Sequence, residues 1–271
     1  MLSFLFWNLM KLPRAELVAK AAHEHQADIV VLAECMATDS EVLQALVETT
    51  GRRFIKPEAI SGKVRVFSSL PVESVRPVAD DFTGRVTIRR VILQHTDFLL
   101  VAAHLPSKVN RSDSDQLQTA QRMAVRIRDA EREFDHRRTV LIGDLNMNPF
   151  EAGVVAAHGL HGVMTRQIAN ERTRIVDGEE HPFFYNPMWG LLGDRTPGPP
   201  GTYYKRLSRP TEYFWNTFDQ VLIRPDLLDA FDGNVTVLTQ IDHQNLLTVN
   251  GFPDKQAGSD HLPLVFRLAL N

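Results

Sequence analysis

The chain has 271 residues, 44% of them hydrophobic and 23% charged, a composition that excludes a disordered, collagen-like or membrane-embedded protein and allows one large domain or two small ones. Thirty Lys and Arg against 33 Asp and Glu give a formal net charge of -3, which excludes coating of nucleic acid by bulk positive charge but not local basic patches. The single cysteine, Cys35, excludes an intrachain disulfide and a cysteine-rich zinc site, so no disulfide-linked partner is expected and the expected setting is the cytoplasm.

In chain order, Leu2 to Trp7 reads as a buried strand and Pro13 to His25 as a helix with Leu17, Val18, Ala21 and Ala22 on one side. The apolar start has no basic segment before it and is interrupted by Asn8 and Lys11, so neither a secretion signal nor a membrane span is expected there. Asp28 to Ala33 is a second apolar run of strand length. Residues 40 to 50 carry Val42, Leu43, Leu46 and Val47 at near-helical spacing, with Gly51 as the stop. Short β-rich runs follow, Val64 to Ser68, Arg85 to Leu93 and Phe98 to Ala103, and predict hairpin pairing. Ser112 to Phe134 is the longest predicted helix, with Asp113 and Asp115 in its first turn and Leu117, Ala120, Ala124 and Ile127 on one face. Thr139 to Ile142 is another buried strand, and the Pro- and Gly-rich residues 182 to 201 predict a long surface loop. Phe214 to Ile223, Val235 to Thr239 and Leu262 to Leu268 complete the strands. No repeat or low-complexity linker divides the chain, so residues 1–271 are expected to form a single domain of packed sheets with helices outside.

Several of these apolar runs end on a polar residue. Phe6-Trp7-Asn8, Val31-Leu32-Ala33-Glu34, Val101-Ala102-Ala103-His104, Leu141-Ile142-Gly143-Asp144-Leu145-Asn146 and Gly258-Ser259-Asp260-His261 all do so, and Phe218-Asp219 opens such a run. Side chains at strand ends can converge over a sheet edge on a rigid base. Taken singly, each reads as an ordinary turn or strand-end residue; the set carries the argument. Carboxylate and amide oxygens without thiolates favour a hard ion, magnesium or manganese, over zinc. Such an ion beside histidines suits phosphoryl chemistry.

In this order, and spread over nearly the whole chain, these segments resemble the endonuclease/exonuclease/phosphatase family, as does Val66-Phe-Ser-Ser-Leu-Pro71 for its central strand and turn. The resemblance implies a DNase I-like α+β fold, a four-layer αββα sandwich of two packed, mainly antiparallel sheets with helices outside. Carried over, Asn8, Glu34 and Asp260 would hold the divalent ion, Mg2+ or Mn2+. Asp144 would orient or deprotonate the attacking water, and Asn146 would donate to the phosphate. His261, paired with Asp219, would act as base or charge stabiliser, and His104 would contact the phosphate or assist the leaving group. The identity of the base is left open. Where the family usually has Gln before the metal-binding glutamate this chain has Ala33, so any hydrogen bond supporting Glu34 would have to come from elsewhere.

Outside this set, Arg195 to Arg209 holds Arg195, Lys205, Arg206 and Arg209 without an acid, interleaved with Tyr203 and Tyr204. Basic and aromatic residues together can hold a phosphate backbone and stack bases, or form a solvated loop over core aromatics. Lys108 and Arg111 form a smaller basic lip beyond His104. The remaining histidines, including His158, His161 and His181, are expected on the surface or as satisfied core residues, and Cys35 as an inert thiol. The leading expectation is a metal-dependent phosphodiesterase acting on nucleic acid. The alternatives are a phosphatase or lipid phosphodiesterase of the same family, and a silent member used as a binding module.

Overall fold

A computed structural model describes residues 1–270 except 60, 61, 82, 110, 209 and 211, so Arg209 lies outside the described residues. The first half of the chain lays down β1 (Leu2–Leu12), α1 (Ala15–Glu24), β2 (Ile29–Cys35), α2 (Asp39–Thr50), β3 (Val64–Ser68), β4 (Val75–Asp80), β5 (Val86–Ile92), β6 (Asp97–His104), α3 (Asp113–Glu133) and β7 (Thr139–Asp144). One sheet has five strands in the order Phe231–Val237, Leu264–Leu268, β1, β2, β3. The other has seven, β4, β5, β6, β7, Asp219–Ile223, Phe184–Tyr185, Gly162–Val163. Pairing is mainly antiparallel, but β1 runs parallel to β2 and β6 parallel to β7.

The apolar runs are continuous because these strands bury both faces. Along β1, Phe4 and Phe6 point into the layer between the sheets, while Leu5, Trp7 and Leu9 point outward to a second apolar layer. Phe4 stacks on Phe266 at 4.5 Å and meets Phe98 of the other sheet edge-on at 6.2 Å. The outward face of the first sheet is covered by Leu17, Val18 and Ala22 of α1 and by Val42 and Leu46 of α2. The outward face of the second, with Leu99, Val101 and Leu141, is covered by Ala120, Met123 and Ile127 of α3. Helix, sheet, sheet, helix is therefore the layer order, and each strand's period of two decides which layer a residue enters.

Local chemistry sets the helix limits. The Thr38 hydroxyl accepts from the Glu41 backbone N–H while the Glu41 carboxylate accepts from the Thr38 N–H, and Ser112 and Asp115 repeat this box at α3. Gly51 ends α2 at φ +68°, a conformation glycine adopts without strain. Val47, expected on the apolar face, is exposed.

Two expectations are corrected, and one hairpin is new. Residues 182 to 201 are not a surface loop throughout: Phe183, Phe184, Asn186 and Met188 are buried, and Phe184–Tyr185 is a strand. The run Phe214 to Ile223 breaks into two strands, Trp215–Asn216 pairing with Tyr203–Tyr204, and Asp219–Ile223 pairing with β7, because Phe214 takes φ +63° and the chain changes sheet after Asn216. A hairpin, Thr173–Val176 with Glu179–Pro182, goes unpredicted although its Asp177-Gly178 turn is a strong hairpin signal.

Candidate active site

Strand register assembles the site. In the seven-stranded sheet His104 lies opposite Asp144 and Asp219 lies opposite Asp144, so three neighbouring strands present these side chains in one row. All three continue apolar rows that face the inter-sheet layer: Phe98-Leu100-Ala102 leads to His104, Val140-Ile142 to Asp144, and Ile223-Val221 to Asp219. In the other sheet Phe4-Phe6 leads to Asn8 in the same way. The Asn8 Nδ2 donates to Asp144 Oδ2 at 2.9 Å, joining the two sheets at their common edge.

Glu34 does not follow this rule. Val30 and Leu32 point outward, and the alternation would send Glu34 with them. Its left-handed backbone, φ +47°, together with a register shift between Asn8 and Leu12, breaks the extended path, and its carboxylate instead meets His104 Nε2 at 3.3 Å. The hydrogen bond from His104 holds the Glu34 carboxyl below its ordinary value, more than offsetting burial. His104 thus supplies the support that Ala33, fully buried in the inter-sheet layer, does not. Asn146 also has a left-handed backbone, φ +51°; its N–H donates to Asp144 Oδ1 at 2.8 Å and its Nδ2 to the Leu105 carbonyl at 3.0 Å. Uncommon backbone conformations at two such neighbouring positions are characteristic of functional sites.

His261 precedes Leu264–Leu268, whose pairing with β1 brings it beside Asn8. Ser259 Oγ donates to the Asn8 carbonyl at 2.7 Å, and Trp7 Nε1 donates to the His261 carbonyl at 2.8 Å. His261 Nδ1 lies 2.8 Å from Asp219 Oδ2. Burial alone would depress the imidazolium, but Asp219, and then Asp144 and Asp260, push it up to about 10, favouring the charged ring. Burial raises the Asp144 carboxyl despite His261 and the Asn146 N–H.

A cavity of about 430 Å³ opens over this edge, lined by Asn8, Glu34, His104, Asp144, Asn146, Asp260 and His261. Asp219 stands behind His261, fully buried, and is not part of the wall. Of the residues expected to touch substrate, Lys108, Tyr203 and Lys205 line the cavity and Arg111, Tyr204 and Arg206 do not. Tyr204 is stacked on Phe252 at 3.8 Å, and Arg111 and Arg206 are exposed. Lys108 is ion-paired with Glu151 and lies 3.5 Å from Asp113. Tyr203 packs its ring 4.6 Å from that of His261, and its hydroxyl is pushed up to about 12 by burial and then by Asp260 and Asp144.

The donors in the cavity fit a hard divalent cation: Glu34 and Asp260 carboxylates and the Asn8 amide oxygen, with no thiolate. A clustered triad at this edge is a different one, since Asp144, Asp219 and His261 offer ligand atoms within 4.8 Å of one another. Among the described residues Glu34 and Asp260 join no such triad; Glu34 is turned to His104 and Asp260 lies 3.7 Å from Lys255 Nζ.

Positioning residues beyond the expected set are buried amides. Gln116 Nε2 donates to the Asn146 carbonyl at 2.9 Å, and Asn148 Nδ2 donates to Asn216 Oδ1 at 3.0 Å while its Oδ1 accepts from the Thr217 N–H at 2.8 Å. The spacing Asn146-Met-Asn148-Pro is the one sequence signal for this network.

No helix among the described residues is long and apolar enough to cross a membrane. A comparison with curated proteins finds no match. Among solved structures, a 3′ phosphatase from Neisseria bound to a product DNA hairpin is 15% identical at a TM-score of 0.60, covering 99% of each chain. TDP2 of D. rerio with a single-strand DNA product is 16% identical at 0.59, covering 98% of this chain and 97% of that one. An AP endonuclease from Archaeoglobus fulgidus is 15% identical at 0.56, covering 100% of both. At such identities the likeness shows the fold alone. The Endonuclease/Exonuclease/phosphatase family profile matches residues 5–261, nearly the full length. The chain therefore belongs to the Endonuclease/Exonuclease/phosphatase family and is a phosphoric ester hydrolase.

Proposed function

We propose that the enzyme hydrolyses phosphodiester bonds of nucleic acid with Mg2+ or Mn2+ bound by Asn8, Glu34 and Asp260. The observation that carries this reading is the meeting, over one cavity, of the three oxygen donors with Asp144 and a His261 whose Nδ1 is paired with Asp219. When bound, the ion would polarise phosphate oxygens and lower the pKa of water. Asp144, whose pKa burial raises, is the acceptor for a proton from the attacking water, and Asn8 Nδ2 and the Asn146 N–H fix its carboxylate. His261, as an imidazolium, donates to the charge that grows at phosphorus rather than serving as the base. The second amide hydrogen of Asn146 Nδ2 completes the donors around the phosphate, while His104, through Nε2, holds Glu34 in place.

Tyr213 and Lys205 on the cavity wall support a nucleic acid, offering an aromatic ring and a cation with no ion-pair partner among the described residues, while the Tyr203 ring is already packed against Phe218 and His261. The free Cys35, with its thiol pushed up by burial, supports a cytoplasmic setting.

Turnover is to be measured with Mg2+, Mn2+ or EDTA on single- and double-stranded DNA, abasic DNA, RNA, inositol phosphates and a chromogenic phosphodiester. Metal-dependent cleavage of a nucleic acid, lost in the Asp144→Asn, His261→Ala double variant, is expected. Turnover of inositol phosphates alone would overturn the nucleic acid, and no metal-dependent turnover on any substrate would overturn the catalytic reading.

A further inference from the structure

The unpredicted hairpin creates a second cluster of metal-binding side chains. Glu179 and His181 are two apart on the strand Glu179–Pro182 and so share one face, and His158 approaches from the loop after the short helix Ala152–Val155. One ligand atom from each of the three lies within 4.8 Å of the other two. The His158 and His181 rings stand edge to face, 4.6 Å between centroids.

His181 is 4% exposed, and its Nε2 is buried without a hydrogen-bond partner among the described residues. The same holds for Nδ1 of the neighbouring His161. His181 is therefore neither a surface histidine nor a fully satisfied core one, the two readings the sequence offered. An orphaned buried polar atom in a native fold calls for a reason, such as a ligand it serves. His158 and Glu179, by contrast, are exposed and free to adjust.

The backbone on both sides is held. Arg224 Nη1 donates to the Pro182 and Phe183 carbonyls at 2.9 and 3.0 Å, fixing the strand just beyond His181. The Gly159 N–H donates to the Ala156 carbonyl at 2.9 Å and Leu160 to Gly153 at 3.1 Å, fixing the loop around His158. Two imidazoles and one carboxylate suit a borderline divalent ion such as zinc, with bonds of about 2.0–2.2 Å, rather than the hard ion that an all-oxygen set prefers. Around a tetrahedral zinc, ligand atoms stand about 3.4 Å apart. The two exposed side chains can supply the contraction from 4.8 Å by changing rotamer.

The cluster lies away from the catalytic edge. Tyr185 pairs with Ile223, at the far end of the strand that begins with Asp219, and the hairpin precedes Phe184. We propose that His158, Glu179 and His181 form a transition-metal site, with zinc as its fitting ion, that ties the hairpin Thr173–Pro182 to the loop before the outermost strand, Gly162–Val163.

The test uses the full chain with Mg2+ in excess, zinc titrated by calorimetry, bound zinc counted after dialysis, and melting followed with and without zinc. One zinc per chain is expected. At zinc concentrations about a hundredfold above Kd it should raise Tm by about 5–8 °C. His158→Ala and Glu179→Gln, both at exposed positions, should each weaken zinc binding by at least about tenfold and abolish the Tm shift, while Mg2+-dependent turnover stays unchanged. Equal zinc binding in both variants, no zinc retained by the parent, or loss of zinc from Asp144→Asn instead would overturn the site. A failure of the nuclease reading leaves these outcomes unaffected.

Discussion

His261 Nδ1 and Asp219 Oδ2, 42 residues apart in sequence, lie 2.8 Å apart with both side chains buried. The carboxylate outweighs the burial that would otherwise neutralise the ring and, with Asp144 and Asp260, lifts it from 6.5 to about 10. Because the folded value lies above the unfolded one, the pair's contribution to stability is complete below pH 6.5 and is lost as pH rises toward 10. In EDTA, urea denaturation of the parent should show stability falling across this window, and Asp219→Asn should flatten the fall. The same variant should move the alkaline limb of the pH–rate profile downward; an unmoved limb would count against His261 as the protonated donor.

Asp144→Asn preserves shape and removes the proton acceptor. A loss of about 10²–10⁴-fold in kcat is expected, the usual range for a positioned acid or base. EDTA should abolish turnover of the parent, and added Mg2+ or Mn2+ should restore it.

The two lysines of the cavity differ in what already holds them. Lys108 is engaged by Glu151 and Asp113, whereas Lys205 has no ion-pair partner among the described residues. Lys205→Ala should therefore raise KM for an oligonucleotide and lower the salt dependence of binding by about one phosphate contact, with kcat little changed. Lys108→Ala should have the smaller effect on both. Steady-state kinetics at two salt concentrations separate the cases.

Gly143 of β7 lies opposite Ala103 of the parallel β6, and a Cβ there would stand 1.9 Å from the Ala103 carbonyl oxygen. Backbone, not a flexible side chain, is in the way. Gly143→Ala should cost more than about 3 kcal/mol in denaturant unfolding, among the largest effects of single substitutions.

Arg224 and Glu131 form a buried pair, Nε to Oε1 at 2.8 Å, with the guanidinium 3.8 Å from the Phe184 ring centroid. Arg224→Met strands the carboxylate and should cost about 3–5 kcal/mol, whereas adding Glu131→Leu should recover part of the loss. A double-mutant cycle measures the difference.

Much of this architecture is legible in the residues themselves. Strands bounded by turn residues, the start at Ser112 and the stop at Gly51 are local, so the elements from α1 through β7 fall close to their predicted limits, β4 excepted, while β1 runs on past Trp7 to Leu12. Edge strand β4, with Pro77 and few buried residues, lacks the apolar run by which a strand is recognised. Residues 182 to 201 read as loop because prolines and glycines outweigh Phe183, Phe184 and Met188, whose burial is decided by Arg224 and the neighbouring strand. Basic residues are the least legible: nothing in Lys205-Arg206 says that one faces the cavity and the other solvent.

The sequence by itself determined which polar residues end the apolar rows, since the period of two that buries Phe6, Ala102 and Ile142 also aims Asn8, His104 and Asp144 at the same layer. Only the tertiary structure decided how they act. Register set His104 and Asp219 on either side of Asp144, a left-handed backbone turned Glu34 back to His104, and Asp219, working against burial, favoured the charged form of His261. The physical reason is that side-chain direction follows from local backbone geometry. Proton affinity depends on solvent exclusion and on charges brought close by residues far away in the chain.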